Sequence, residues 1–573
     1  MEIKGTELFV KALKEEGVTT LFAYPGGQVI DLFDALYDQE EIEVILPRHE
    51  QALVHAADGY ARSTGKVGVC LVTSGPGATN LVTGIATANY DSVPLVCFTG
   101  QVATSLIGND AFQEVDIVGI TRSICKYAIT VRDRKDLGRI IKEAFYIAKT
   151  GKPGPVLIDL PKDIQQAFGE SEYPEEINIR GYKPMAGVHL GQLKRAMAMI
   201  EEAKRPVFLI GGGVNISGAG KELTKLSERT GIPVITTIMG KGAIPTTHPL
   251  YVGNIGIHGN YASNMAISDC DVLISIGTRF NDRITGKVSE FAKNAKIIHI
   301  DIDAASISRN ISVDIPIVSD AKTALEKMLD EAKPLQITEW ANCITNWKKD
   351  YPITMNSISG LTPEKIIRKI NERYKNSVVV TDVGQNQLWT TQFLELDENR
   401  KLLTSGGLGT MGYGLPAAIG AKLGNPLKDV ICISGDGGIQ MNIQEMATAV
   451  ALEIPFIICI FNNAYLGNVR QWQELFYKKR YASTCLKYRR SCNRNCGTNE
   501  ECPKYTPDFV MLSKSYDTLG IRVETEEDMD KAFAMADKNR KAPTIIEFII
   551  DERLNVSPMV PGGKPLNEMI MEC

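Results

Sequence analysis

The sequence lacks the features that mark membrane, secreted and nucleic-acid-binding proteins. No apolar run approaches the ~20 residues needed to span a bilayer, because Gly, Asp or Pro interrupts each one. The chain opens with neither a charged-then-apolar signal nor an Arg- and Ser-rich transit segment. It also has no long basic run, and its net charge is −5. We therefore expect a cytoplasmic protein that binds neither membranes nor nucleic acid.

The composition is that of an ordinary globular protein, with 44% hydrophobic and 23% charged residues. At 573 residues the chain is too long for a single core, and this length suggests about three domains. Four of the twelve cysteines lie inside apolar, strand-like runs. Reduced thiols in such runs behave as small hydrophobic groups, so we expect core positions for Cys70, Cys97, Cys432 and Cys459.

Strand-like and helix-like segments alternate along the whole chain, which is typical of doubly wound α/β structure. Strands are predicted at residues 20–24, 68–73, 94–99 and 156–160, then at 207–210, 233–236, 272–276 and 297–300, and finally at 378–383, 430–434, 455–461 and 544–550. Polar segments at 169–185 and 331–352 are predicted to be linkers. We therefore predict an α/β fold with three doubly wound parallel-sheet domains in series, spanning residues 1–170, 189–330 and 360–573.

Two neighbouring predicted strands of the last domain end in polar residues. One is followed by a glycine-rich turn with a single carboxylate, and the next ends in a pair of asparagines; the residues are Gly435, Asp436, Gly437, Gly438, Asn462 and Asn463. A carboxylate and an amide oxygen suit Mg²⁺, and the glycines leave room for a diphosphate to approach the backbone. Either half alone could be a plain strand-to-loop turn. Together they predict a site for magnesium and a diphosphate.

Further segments accompany this pair, and together they resemble a known family. The segments are Arg48-His49-Glu50, Ser74-Gly75-Pro76-Gly77, residues 406–412 (Gly-Gly-Leu-Gly-Thr-Met-Gly) and Val469-Arg470-Gln471-Trp472-Gln473. Gly-Asp-Gly followed some two dozen residues later by Asn-Asn resembles the signature of thiamine diphosphate enzymes. Nearly the whole chain resembles the catalytic-subunit family of the biosynthetic acetolactate synthases.

The resemblance implies an enzyme that decarboxylates pyruvate and joins the two-carbon unit to pyruvate or 2-oxobutyrate. This reaction begins the biosynthesis of valine, leucine and isoleucine. The implied cofactors are thiamine diphosphate, Mg²⁺ and FAD. The implied assembly is a homodimer at minimum, with a tetramer and a small regulatory subunit as larger states. The alternative enzymes are the flavin-free catabolic acetolactate synthase, a 2-oxo acid decarboxylase and pyruvate oxidase. The alternative outside the enzymes is a catalytically silent regulatory or scaffold protein, and the intact Glu50, Asp436 and Asn463 argue against it.

The resemblance also assigns residues to thiamine diphosphate. Glu50 matches the glutamate that hydrogen-bonds the aminopyrimidine ring and relays a proton, although from spacing alone it could be only a helix-terminus charge. Met411 matches the bulky residue that bends the cofactor, with a core methionine as the alternative. Gly409 matches the backbone carbonyl that receives the cofactor amine. Further implied cofactor contacts are Gly26, Gly27, Gln385 and Tyr465, with Tyr465 joining Asp436 and Asn463 as a metal ligand.

The middle domain carries glycines after strands but no strict G-x-G-x-x-G. These glycines permit a flavin diphosphate to approach, and Asp301 after a strand could take a ribose hydroxyl. The implied flavin contacts are Lys152, Gly211, Gly212, Gly213, His258, Gly277, Arg279, Asp301 and Asp320. Arg279 would also bind the carboxylate of the second 2-oxo acid, which suits a guanidinium group.

Four further residues match substrate-contacting positions of the family. Phe112 and Gln113 match an active-site pair near the substrate. Lys162 matches a positive residue at the channel mouth, with a solvated surface lysine as the alternative. Trp472 matches the residue that contacts the extra methyl group of 2-oxobutyrate, with a core aromatic packed beside Val469, Leu475 and Phe476 as the alternative.

The largest departure from the family is a basic, polar segment that carries Cys485, Cys492, Cys496 and Cys502. Four thiols within eighteen residues could bind Zn²⁺ or a cluster. The spacing lacks the C-x₂-C pair typical of zinc sites, so free or redox-linked thiols are the alternative. Smaller departures occur at Lys152, Ile257, Asn386 and Asn468, and none of them removes a catalytic group.

Overall fold

A computed structural model describes residues 2–184, 187–355, 358–487, 490, 492 and 506–572. Within these residues the chain forms three six-stranded parallel sheets flanked by helices. The predicted fold class is confirmed. We call the three sheets with their helices the first, central and third units.

The first unit has the strand order β3-β2-β4-β5-β7-β6, and β1 pairs antiparallel with β8 beside it. Its strands are β1 (Glu2–Lys4), β2 (Thr20–Ala23), β3 (Glu43–Ile45), β4 (Gly68–Val72), β5 (Leu95–Gln101), β6 (Tyr127–Thr130), β7 (Pro155–Pro161) and β8 (Phe168–Glu170). Its helices are α1 (Gly5–Glu15), α2 (Ile30–Tyr37), α3 (Glu50–Thr64), α4 (Pro76–Thr79), α5 (Val82–Asp91), α6 (Ile117–Thr121), α7 (Leu137–Lys149) and α8 (Lys162–Gln166).

The central unit has the strand order β11-β10-β9-β12-β13-β14, so the chain reverses direction across the sheet between β9 and β12. Its strands are β9 (Pro206–Ile210), β10 (Val234–Thr236), β11 (Tyr251–Asn254), β12 (Val272–Ile276), β13 (Lys296–Asp301) and β14 (Ile315–Val318). Its helices are α9 (Leu190–Glu202), α10 (Gly212–Ile216), α11 (Gly220–Thr230), α12 (Tyr261–Asp269), α13 (Asp282–Thr285), α14 (Ala321–Glu331) and α15 (Thr338–Asp350).

The third unit repeats the topology of the first, with the strand order β16-β15-β17-β18-β20-β19. Its strands are β15 (Ser377–Thr381), β16 (Lys401–Leu403), β17 (Asp429–Gly435), β18 (Ile457–Asn462), β19 (Leu519–Val523) and β20 (Thr544–Ile549). Its helices are α16 (Pro363–Arg373), α17 (Gln385–Phe393), α18 (Gly414–Gly424), α19 (Asp436–Ile439), α20 (Glu445–Ala451), α21 (Gly467–Phe476), α22 (Phe509–Ser515) and α23 (Asp528–Lys538).

One predicted linker is wrong, because α15 occupies most of residues 331–352. Trp340, Ile344 and Trp347 lie on one face of this helix and pack against the central core. The Trp340 indole donates to the Pro206 carbonyl at 3.2 Å. The spacing of these three apolar residues is helical, and burial of their side chains stabilises a helix in a segment that otherwise looks polar.

Helix α3, which begins at Glu50, packs closely on α18 of the third unit. The ring nitrogen Nδ1 of His49 accepts the Gln51 N–H at 3.0 Å and so caps the start of α3. A Cβ added at Gly59 would lie 2.1 Å from the Ala417 carbonyl oxygen, and one at Gly420 would lie 1.8 Å from that of Ala56. Only glycine fits at either position, and this close packing fixes the start of α3 relative to the third unit.

The described residues also show where the four strand cysteines lie and how long and apolar the helices are. Cys70, Cys97, Cys432 and Cys459 are fully buried, as predicted. Among the residues that the structure describes, no helix is both long and apolar enough to cross a bilayer.

Candidate active site

A cavity of about 120 Å³ lies at the carboxyl ends of β15, β17 and β18, in the third unit. The turn after β17, the asparagine after β18 and the first turn of α17 all reach it. The predicted residues that line it are Gln385, Met411, Gly435, Asp436, Gly437, Gly438, Asn463 and Tyr465. The predicted diphosphate and metal residues therefore lie together.

Asp436 is a buried carboxylate with unused hydrogen-bonding capacity. Its Oδ2 atom is buried and has no hydrogen-bond partner among the described residues. Burial raises the pKa of Asp436 to about 7, although the backbone N–H groups of Asp436, Gly437 and Ala464 act in the opposite direction. An oxygen of this kind costs free energy unless a cation or donor pairs with it. The site fits a divalent cation.

Asn463 is held by a chain of side-chain amides. Its Nδ2 donates to Oε1 of Gln385 at 3.1 Å, and Gln385 in turn donates to Oε1 of Gln471 at 3.1 Å. The Asn463 Oδ1 accepts the Tyr465 N–H at 3.2 Å. A carbonyl oxygen has a second lone pair, so Asn463 can still bind a cation.

Residues 405–414 form a glycine-rich loop that lines this cavity through Met411 and a neighbouring cavity through residues 405–409. Gly409, with φ of 73°, lies at its exposed apex, and Gly412 has φ of 85°. A Cβ added at Gly437 would lie 3.9 Å from the Met411 methyl carbon, so Met411 borders the turn that carries Asp436. The structure thus places Met411 beside the cavity that carries Asp436.

Glu50 lies at the carboxyl edge of the first sheet. Its Oε2 accepts the Asn80 side-chain N–H at 2.9 Å, and a Cβ added at Gly77 would lie 3.5 Å from its Oε1. Lys162 Nζ donates to the Gly27 carbonyl at 3.0 Å. The predicted residues that lie at this edge are Gly26, Gly27, Glu50, Phe112, Gln113 and Lys162.

The structure does not bring Glu50 and Asp436 into one cavity. Among the residues that the structure describes, those lining the Asp436 cavity all fall between 383 and 469, so none of them belongs to the first unit. Phe112 at the Glu50 edge is 85% exposed, which is unusual for a phenylalanine. One chain therefore presents two separate half-sites, one around Glu50 and one around Asp436.

A second cavity, of about 300 Å³, opens where the central sheet reverses between β9 and β12. Crevices of this kind bind nucleotides in doubly wound sheets, and the central strand order is the one found in dinucleotide-binding sheets. A Cβ added at Gly211 would lie 2.1 Å from the Gly277 carbonyl oxygen, so the two glycine turns touch. The predicted residues that line it are Lys152, Gly211, Gly212, Gly213, Gly277, Arg279, Asp301 and Asp320.

The charges around the central cavity are mostly paired. Burial raises the pKa of Asp301 to about 6, and its Oδ1 accepts the Asp303 N–H at 2.8 Å. Lys152 pairs with Asp303 at 3.3 Å. The Asp320 carboxylate accepts the N–H groups of Lys322 and Thr323 at 3.0 and 3.1 Å and caps α14. Asp301 lies at the end of β13 and lines this cavity.

His258 and Trp472 line an adjoining cavity of about 810 Å³, which also contacts Arg279. Burial lowers the pKa of His258 to about 4, so this imidazole is neutral at pH 7. The Arg283 guanidinium lies 5.8 Å from the centre of the Trp472 ring, within cation–π range. The Trp472 ring also contacts the Phe476 ring edge-on at 6.4 Å, while Val469 and Phe476 are 50% and 42% exposed.

Three buried carboxylates near the half-sites were not predicted from the sequence. Asp382 and Asp91 contact the two ends of the 405–414 loop, and Glu445 contacts the turn before Glu50. Asp382 follows β15 as Asp436 follows β17, so a polar residue at a strand end was an available signal. Asp91 and Glu445 lie on helices and carry no such signal.

The cysteine segment is described only in part. The backbones of Cys485 and Tyr465 form an isolated antiparallel β-bridge. The thiols of Cys485 and Cys492 are both free and half-buried. Cys496 and Cys502 lie outside the described residues, so the predicted four-thiol site is not tested. Among the residues that the structure does describe, no group of three or more His, Cys, Asp or Glu side chains could hold a metal.

Comparison with known protein families gives three matches along the chain. Residues 3–120 match the thiamine pyrophosphate enzyme N-terminal TPP binding domain, 193–328 the central domain and 382–548 the C-terminal TPP binding domain. The chain is 45% identical to a probable acetolactate synthase large subunit of Methanococcus aeolicus, covering 99% of this chain and 95% of that protein. It is 42% identical to the acetolactate synthase isozyme 3 large subunit of Escherichia coli, covering 99% and 98%. The chain therefore belongs to the acetolactate synthase large-subunit family of thiamine pyrophosphate enzymes.

Proposed function

We propose that this chain makes acetolactate, by decarboxylating pyruvate and ligating the two-carbon unit to a second 2-oxo acid. The observation that carries the proposal is a buried Asp436 oxygen, without a hydrogen-bond partner among the described residues, in a cavity shared with Asn463. It is the arrangement that a magnesium-bound diphosphate needs, on a chain whose family uses thiamine diphosphate. Thiamine diphosphate, when bound, supplies the carbon nucleophile for decarboxylation and ligation.

Asp436 and Asn463 would hold Mg²⁺ through side-chain oxygens, and Tyr465 through its backbone carbonyl. The Asp436 pKa of about 7 falls when a cation pairs with it, so binding favours the charged form that the metal needs. The glycines at 435, 437 and 438 let the diphosphate approach the backbone. Gln385 orients Asn463, and Gly409 and Met411 would contact the cofactor beside them.

Glu50 would exchange a proton with the aminopyrimidine ring. Asn80 holds the Glu50 carboxylate at 2.9 Å and fixes the direction in which its other oxygen points. The Phe112, Gln113 and Lys162 side chains would line the substrate approach from the same edge. Arg279 and Trp472 would meet the second 2-oxo acid from the opposite side, with Arg279 binding its carboxylate.

A homodimer would complete the site, because Glu50 and Asp436 lie in separate half-sites of one chain. The exposed Phe112 at the Glu50 edge supports a partner surface there. We further propose a larger tetrameric assembly and a small regulatory subunit as partners, on the strength of the large-subunit relatives. The proposed domain limits are 1–170, 189–330 and 360–573.

We assign FAD to the central cavity. The touching glycine turns and Asp301 at the end of β13 support a dinucleotide there. Purified protein with bound flavin would be yellow, because flavin absorbs blue visible light. A colourless enzyme that still makes acetolactate would instead point to the flavin-free catabolic type.

Mixing two inactive variants tests the cross-subunit site. Glu50→Gln and Asp436→Ala should each abolish acetolactate formation from pyruvate. Dissociation and reassembly of an equal mixture should restore about a quarter of the wild-type activity, because half of the dimers are hybrids with one intact site of two. Each variant reassembled with itself is the control. If folded, mixed dimers recover no activity, Glu50 and Asp436 act together in a site formed by one chain.

A further inference from the structure

The 405–414 loop, which carries Gly409 and Met411, is held at both ends by buried carboxylates from different units. Near its start, Asp91 at the end of α5 accepts the Gly406 N–H at 3.1 Å and the Gly407 N–H at 2.8 Å. Arg62 donates to the same carboxylate at 2.9 Å. The first unit therefore fixes the beginning of a loop that belongs to the third.

Asp382 fixes the other end. Its carboxylate accepts the Gly412 N–H at 3.0 Å and the Gly414 N–H at 3.0 Å, and also the N–H of Val383 at 2.8 Å. The side chain is 1% exposed and has no cationic partner among the described residues. Burial raises the pKa of Asp382, and its hydrogen bonds from the backbone N–H groups of Gly414, Gly412 and Val383 act in the opposite direction. These same hydrogen bonds hold the end of the loop against Asp382.

Between these anchors the loop has an exposed apex. The Thr410 N–H donates to Ser405 Oγ at 3.0 Å, which closes the loop on itself, while Leu408 and Gly409 are exposed. The Thr410 hydroxyl also lies 2.7 Å from that of Thr87 in the first unit. The loop is thus anchored at both ends, and Leu408 and Gly409 between the anchors line the cavity of about 810 Å³.

We propose that Asp91 and Asp382 are positioning residues that hold the 405–414 loop in the shape that presents Gly409 and Met411 to thiamine diphosphate. The inference rests on the proposed function. Neither carboxylate needs to touch the cofactor, since each acts through the backbone N–H groups of the loop.

A carboxylate is suited to this task because both of its oxygens accept and neither donates. An asparagine of the same shape keeps one acceptor and turns an NH₂ donor toward the loop N–H groups. Asp382→Asn therefore changes the loop contact with little change in side-chain volume. Glu364 offers a matched control, because it is a buried carboxylate of the third unit that bonds Arg368 and the Met355 N–H but lines neither half-site.

Calorimetric titration of thiamine diphosphate at saturating Mg²⁺ tests the proposal without an activity assay. We expect Asp382→Asn and Asp91→Asn to raise the Kd for thiamine diphosphate by about tenfold or more. Glu364→Gln should leave the Kd within about twofold of the wild-type value. Melting temperatures without cofactor identify any variant that fails to fold. Ser405→Ala is the second variant, since it removes only the Thr410 acceptor, and a weakening of about threefold is expected.

A double-mutant cycle separates positioning from general destabilisation. If Asp382 acts through Met411, Asp382→Asn should weaken cofactor binding less in a Met411→Ala background than in the wild type. Equal effects in both backgrounds, or an unchanged Kd in folded Asp382→Asn, would overturn the inference. A wild-type chain that binds no thiamine diphosphate would overturn the proposed function as well. A wild type that binds it and makes acetolactate, with unaffected variants, would overturn the positioning role alone.

Discussion

The carboxylate of Glu445 accepts the Arg48 backbone N–H with both oxygens, at 3.0 and 3.1 Å. Glu445 begins α20 of the third unit, and Arg48 lies two residues before Glu50. The Thr448 hydroxyl donates to the same buried carboxylate at 2.7 Å. One chain therefore links its Glu50 turn directly to the unit that holds Asp436.

Replacing Glu445 should loosen that turn. Glu445→Ala leaves the Arg48 N–H without its acceptor, and an unmet buried donor costs about 1–3 kcal/mol. We expect a lower melting temperature and a lower kcat, with unchanged Mg²⁺ affinity. Asp429→Ala, at an exposed position of the same unit, is the control. A folded Glu445→Ala enzyme with wild-type kcat would show that the contact does not position Glu50.

Asp436→Ala should abolish activity by removing the charged ligand of the proposed Mg²⁺. Metal contacts of this kind contribute several kcal/mol, so we expect a loss of at least ~100-fold in turnover. Calorimetry with Mg²⁺ and thiamine diphosphate should show that binding of both is impaired. Asp436→Asn, which keeps a neutral oxygen, should bind more weakly than wild type but better than alanine. Unchanged cofactor affinity in Asp436→Ala would exclude the proposed metal site.

Lys241 should make the contact between the central and third units depend on pH. Its ammonium group is buried and donates to the Thr391 carbonyl at 2.7 Å, and burial lowers its pKa to about 7. The unfolded chain holds this proton up to a pKa of about 10.4, so between pH 7 and 10 the unfolded state binds more protons. The free energy of unfolding therefore rises with pH across that window, by up to ~1.4 kcal/mol per pH unit, and it falls again as the pH is lowered.

Lys241→Met removes the titrating group, so the comparison isolates it. The melting temperature of the variant relative to wild type should be highest near pH 6 and should decline as the pH rises toward 9. Lys365→Met, at a half-buried lysine of the third unit, controls for the loss of a positive charge. A constant difference between wild type and Lys241→Met from pH 6 to 9 would mean that Lys241 keeps its ordinary titration.

Trp472→Leu should change the choice of the second 2-oxo acid. Contact with one extra methylene is worth about 1–3 kcal/mol, or ~10- to 200-fold in preference for 2-oxobutyrate. The variant should lose most of this preference and still make acetolactate. The product ratio with pyruvate and 2-oxobutyrate in competition measures the effect, and Phe476→Leu on the same helix is the control. An unchanged ratio in an active variant would assign Trp472 a packing role.

Local patterns predicted the third-unit site because its residues directly follow strands. Asp436 and Asn463 could be placed from apolar runs that end in Gly, Asp or Asn, since parallel strands bring such ends to one edge. Asp91 and Glu445 could not be placed, because their partners lie 316 and 397 residues away in sequence. The α15 helix was missed although Trp340, Ile344 and Trp347 have helical spacing. The segment was predicted to be a linker because polar residues separate these three apolar ones.

The shared strand order of the first and third sheets lets the two be compared position by position. The last paired residues of equivalent strands are Ala23 with Leu71, and Thr381 with Ile433. Three residues beyond each pair stand Gly26 with Ser74 in the first unit, and Gly384 with Asp436 in the third. The first and third sheets thus have an equivalent position, which holds the uncharged Ser74 hydroxyl in the first unit and the Asp436 carboxylate in the third. Of the two equivalent positions, only the one in the third unit carries the carboxylate that the proposed Mg²⁺ site requires.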